Sequence, residues 1–83
     1  MPTNCVWLDG IASSVTEKYL GKQFDRFGLV NYAVIDRDRR LALVYFDSVD
    51  PAMHAVNQMR GRVIAGVRLQ VSSVYKRILS EKI

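Results

Sequence analysis

At 83 residues the chain has room for one small domain around a single hydrophobic core. A composition 49% hydrophobic and 24% charged excludes an intrinsically disordered chain, and a net charge of +4 suits either a polyanionic partner or an ordinary solvated surface. The single cysteine, Cys5, excludes an internal disulfide framework and a cysteine-based zinc site, and fits a reducing compartment.

Cys5 to Ile11 alternates, with Val6 and Leu8 on one side and Cys5, Trp7 and Asp9 on the other. This predicts a strand that Gly10 breaks. Ser14 has Glu17 three positions on, the capping-box spacing, and Thr16 is the competing cap. Leu20, Phe24 and Phe27 then mark one face of a helix, with Gly28 placed to stop it in a left-handed conformation. Leu29 to Asp36 predicts a second strand with Val30, Ala33 and Ile35 inward and Tyr32 and Val34 outward. That facing requires a local bulge. Asp36 to Arg40 is a charged hairpin connection without glycine.

Leu41 to Phe46 predicts a third strand, with Ala42, Val44 and Phe46 inward and Leu41, Leu43 and Tyr45 outward. Ser48 or Asp50 caps a second helix, Pro51 fits its first turn, Ala52, Ala55, Val56 and Met59 form its buried stripe, and Gly61 ends it. Val63 and Ile64 before Gly66 give a turn or a minor strand. Val67 to Ser72 is the expected closing strand, Leu69 and Val71 inward, Arg68 and Gln70 outward. Residues 74–83 carry apolar side chains at roughly helical spacing and read as a short helix, a frayed tail or the opening of a linker. The abrupt ends suggest a domain cut from a longer protein.

The order strand, helix, strand, strand, helix, strand predicts an α+β domain over residues 4–73. Its four-stranded antiparallel sheet carries both helices on one face, the ferredoxin-like βαββαβ sandwich. One sheet face is left open, and its use decides the function.

Two strings on that sheet resemble the hexamer and octamer strands of the RNA-recognition motif family: Val6-Trp7-Leu8-Asp9-Gly10-Ile11, and Arg39-Arg40-Leu41-Ala42-Leu43-Val44-Tyr45-Phe46. The resemblance spans about residues 4 to 73. The opening residues Pro2 to Gly10 and the later Ala42-Leu43-Val44 resemble more specifically the split-ends (Spen) family, and within it the last module of a tandem array. That likeness implies a large nuclear regulator of transcription or RNA processing with several such motifs and a corepressor-binding domain. It puts the hexamer's stacking aromatic at Trp7 and the octamer's leading basic residue at Arg39. The octamer's two aromatic positions fall on the aliphatic Leu41 and Leu43, and Arg40 stands where glycine is usual. Each stacked base is worth about 1–3 kcal/mol, so two absent platforms weaken an RNA site considerably.

The residues assigned to single-stranded RNA are Trp7, Asp9, Tyr32, Arg37, Arg39, Leu41, Leu43, Tyr45, Arg68 and Gln70. Trp7 is expected to lie exposed on the sheet, and the arginines to meet phosphate. The plainer readings are a tryptophan covered by the tail, and a hairpin in which Asp36 and Asp38 neutralise the arginines. The aliphatic pair also fits a protein-interaction module, holding a neighbouring motif or a corepressor on the apolar sheet patch or on the helix face with Lys18, Lys22 and Arg26.

Other classes find little support. A copper carrier of this topology needs two cysteines at a strand–helix turn. An acylphosphatase-like hydrolase needs an arginine cradle that Ile11 to Val15 lacks. His54 reads as a surface or rim residue and Cys5 as a small sheet residue. Neither an enzymatic activity, a cofactor nor a small-molecule substrate is expected. No apolar run approaches the roughly 20 residues of a membrane span and no signal-peptide pattern opens the chain, which argues against a membrane partner.

Overall fold

A computed structural model describes residues 3–73; the expected tail over 74–83 lies outside the described residues. Strand β1 (Cys5–Asp9) is followed by helix α1 (Glu17–Phe24), a 3-10 turn (Asp25–Phe27), strands β2 (Val30–Asp36) and β3 (Leu41–Phe46), and helix α2 (Val49–Met59). Strands β4 (Val63–Ile64), β5 (Val67–Arg68) and β6 (Gln70–Ser73) complete the order. The main sheet runs β2-β3-β1-β6 with every neighbouring pair antiparallel, and β4 and β5 form a small separate hairpin. Alternation decides the facing. Val6, Leu8, Ala42, Val44 and Val71 are buried beneath the helices with Leu20, Phe24, Ala52, Ala55 and Met59.

Thr16, not Ser14, caps α1: its hydroxyl oxygen accepts from the Tyr19 amide at 3.1 Å. Gly28 does not adopt the expected left-handed stop. Its backbone is nearly extended (φ 159°, ψ −177°), and a Cβ there would lie 2.6 Å from Pro51 Cβ. Close approach to α2, rather than turn geometry, is what requires a glycine. The bulge that β2 needs falls between Val30 and Tyr32, so Asn31 is the extra residue and Tyr32 and Val34 emerge exposed.

The closing strand differs from expectation. Ala65 and Gly66 both take positive φ (52° and 81°), turning Val63–Arg68 into a tight hairpin. Only from Gln70 does the chain pair with β1. In the β2–β3 connection Arg40 itself adopts the left-handed conformation (φ 56°) that the missing glycine would take. That costs roughly 1–2 kcal/mol for a side-chain-bearing residue. Offsetting bonds hold it: the Gly10 and Ile11 amides donate to Arg40 carbonyl oxygen at 2.8 and 3.0 Å, and Arg40 Nε donates to Ile11 carbonyl oxygen at 3.2 Å.

Candidate nucleic-acid interface

The sheet face away from the helices is a lattice of three rows set by strand register. Tyr32, Tyr45 and Cys5 lie opposite one another across β2, β3 and β1. The next row is Val34, Leu43, Trp7 and Ser72, and the third is Asp36, Leu41, Asp9 and Gln70. Successive rows are about 7 Å apart, twice the rise per residue of a strand. The face is therefore graded: aromatic at one end, aliphatic with an indole in the middle, carboxylate and amide at the other.

Trp7 does lie on this face, yet it is half-buried and its indole nitrogen is shielded from solvent, so the expectation of an open ring is only partly met. The exposed aromatic surface is elsewhere. Tyr32 is 55% exposed and stacks on Tyr45, ring centroids 4.5 Å apart and planes 21° from parallel. Neighbouring Cys5 is buried, and burial pushes its thiol up to about 11 against the opposing effect of a hydrogen bond from Tyr45. The Tyr45 phenol is also raised, first by the charge Cys5 would carry, then by burial and their hydrogen bond.

Two of the three arginines assigned to phosphate, Arg37 and Arg68, bond backbone carbonyl oxygens. Arg37 Nη1 donates to the carbonyl oxygens of Ser13 and Val15 at 3.1 and 3.0 Å, while Nη2 stands 3.8 Å from Glu17. It thereby ties the hairpin to the β1–α1 connection. Arg39 is highly solvent-exposed and pairs with Asp36 at 3.7 Å, in keeping with the plainer reading of the hairpin. Arg68 is corrected outright: it belongs to β5, not to the main sheet, and its guanidinium donates to Gly61 carbonyl oxygen at 3.3 Å. Gln70 is exposed on β6 opposite Asp9, as expected.

Val34, expected outward, lies in the middle row, and two residues not assigned from the sequence join the surface: Ser72 at the end of that row, and Asn31 at the border of the lattice. Ser72 follows from the pairing of β6 with β1, and Asn31 is the bulge itself. Beside it a groove of about 340 Å³ runs between α1 and the free edge of β2, and its lining includes Lys18, Lys22, Asn31 and Tyr32. Arg26 leaves that helix face: its guanidinium lies 4.8 Å from the Phe27 ring centroid and donates to Met59 sulfur. His54 sits on α2 edge-to-face with Phe27, centroids 5.5 Å apart. Among the described residues no group of three or more His, Cys, Asp and Glu side chains could hold a metal ion, and no helix is long and apolar enough to cross a membrane.

A four-stranded antiparallel sheet backed by two helices, with aromatics on the free face of its central strands, defines a class. The chain belongs to the RNA recognition motif family, whose sequence model matches residues 6–70. Protein split ends of Drosophila melanogaster is 52% identical over 71 residues, covering 86% of this chain and 1% of that protein. Msx2-interacting protein of mouse is 45% identical over 71 residues, covering 86% of this chain and 2% of its own length. The RNA-binding protein spenito of D. melanogaster is 28% identical over 65 residues, 78% of this chain and 8% of that protein. The chain thus spans a small fraction of the curated relatives it matches.

Proposed function

We propose that this domain binds single-stranded RNA on the free face of its sheet, with modest affinity alone. The observation that carries the reading is the set of three aromatic rings, Trp7, Tyr32 and Tyr45, on the face opposite the helices. Unpaired bases stack on such rings at about 1–3 kcal/mol each. Membership of the RNA recognition motif family and the likeness to a protein named as RNA-binding support it. Similarity to split ends extends the proposal: the domain works in a nuclear regulator of transcription or RNA processing, inside a tandem array where neighbours raise its affinity. The residues carried into this proposal are Trp7, Tyr32, Leu41, Leu43, Tyr45, Asp9 and Gln70 on the sheet, with Arg39 at its rim.

The test is a titration of the ¹⁵N-labelled chain with single-stranded oligoribonucleotides at low salt, followed by amide shifts. Shifts on the sheet face, and weaker binding by Trp7→Ala with its fold retained, support the proposal. Absence of shifts, or shifts confined to the helices, overturns it.

A second reading, docking of a neighbouring motif or a corepressor, is favoured by one observation. The middle row is dominated by Val34, Leu43 and Trp7, an apolar strip, while Arg37 and Arg68 are engaged in bonds to backbone. Under that reading RNA leaves the sheet unaffected and a protein partner protects the strip from exchange.

A further inference from the structure

Resting on the RNA reading, we infer that the main nucleotide subsite lies at the β2 edge: a base stacks on Tyr32, and the strand continues over that edge into the groove between α1 and β2. Four observations converge there. Tyr32 is the exposed member of a stacked tyrosine pair, so a third ring extends an existing stack at no cost in side-chain ordering. Leu41 and Leu43 offer no ring where the family's octamer has aromatics, whereas Tyr45 and Tyr32 supply rings one row beyond Leu43.

The bulge leaves Asn31 outside the β2–β3 ladder, next to Tyr32, with a side-chain amide able to donate to and accept from a base edge. The groove also holds cations that are less engaged than those of the hairpin, where Arg37 and Arg40 bond backbone and Arg39 pairs with Asp36. Lys18 and Lys22 line the groove, and among the described residues neither is in an ion pair. Of the two acids lining the same groove, Glu17 faces Arg37 at 3.8 Å, which leaves Asp25 against two lysines. The opposite end of the sheet offers no ring for a base: its row is Asp36, Leu41, Asp9 and Gln70, and Asp36 is paired with Arg39 at 3.7 Å. RNA is thereby drawn toward the tyrosine end and around β2.

The experiment uses the full chain with two probes, octauridylate and a mixed-sequence eight-nucleotide RNA, followed by amide shifts and by anisotropy. Expected are shifts at Asn31, Tyr32, Lys18 and Lys22, and a loss of about five- to a hundredfold in affinity on Tyr32→Ala. The double variant K18E/K22E should flatten the dependence of log K on log salt by about 1.4, two phosphate contacts on a single strand. Both sites are solvent-exposed, and the amide spectrum of each variant verifies its fold. Shifts centred on Trp7, Leu43 and Ser72, with Tyr32→Ala binding as the parent does, overturn this subsite and leave the RNA reading standing. No shifts with either probe overturn both.

Discussion

Leu43 stands between Val34 and Trp7 in the middle row, where an aromatic ring would sit flush with the indole. Leu43→Phe should therefore raise affinity for single-stranded RNA by about 1–3 kcal/mol, read by anisotropy at fixed salt. An unchanged affinity in a folded variant means that RNA does not cross that row. Cys5 allows a second prediction. Its thiol is held to about 11 from an ordinary 9.0 because burial penalises the anion. The unfolded chain ionises first, so stability is complete below about pH 9 and declines as pH rises toward 11. The full increment is about 3 kcal/mol, since the rise is about a hundredfold in the ionisation equilibrium and each tenfold corresponds to about 1.4 kcal/mol. Urea midpoints measured across this range should fall more steeply for the parent than for Cys5→Ala. Equal slopes would show that the thiol keeps no such reserve.

Between elements, the hairpin after β2 and the connection after β1 are joined by Arg37 and Arg40, each bonding carbonyl oxygens of the other segment. Arg37→Ala removes two hydrogen bonds to backbone and a loose, half-exposed ion pair, a loss of about 1–2 kcal/mol in urea denaturation. The amides of residues 11–16 should exchange faster with hydrogen isotope, while RNA affinity stays within about twofold. A large loss of RNA binding in a stable variant would return Arg37 to the ligand. The same contrast marks how far sequence reaches. The alternation in β1 and β3 and the need for a bulge in β2 follow from the order of apolar residues, and they place Trp7, Tyr32, Leu43 and Tyr45 on one face. The destinations of Arg37 and Arg68 do not. A long guanidinium side chain goes where carbonyl oxygens are unclaimed, and Ser13 lies 24 residues from Arg37 along the chain. Arg68 is displaced by the tight Ala65-Gly66 turn, and Gly28 is dictated by Pro51 from another element. Both depend on how the segments meet.

At the scale of the whole domain, charge and shape point to weak, additive binding. The net charge is +4, but several of its arginines serve the fold, and two ring positions of the octamer are aliphatic. Contacts of this kind give dissociation constants on the order of 10⁻⁴ M at physiological salt. Two copies joined by a short flexible linker see each other's RNA at an effective concentration on the order of millimolar. Dividing that concentration by the single-copy constant gives a gain of about tenfold. A fusion of two copies should therefore bind a 16-nucleotide RNA about tenfold more tightly than one copy does, and should show no such gain on an 8-nucleotide RNA. Anisotropy titrations at matched salt separate the two cases. Equal affinities for both lengths would mean that the second copy gains nothing from the tether, and that tandem copies of this module do not add on one strand.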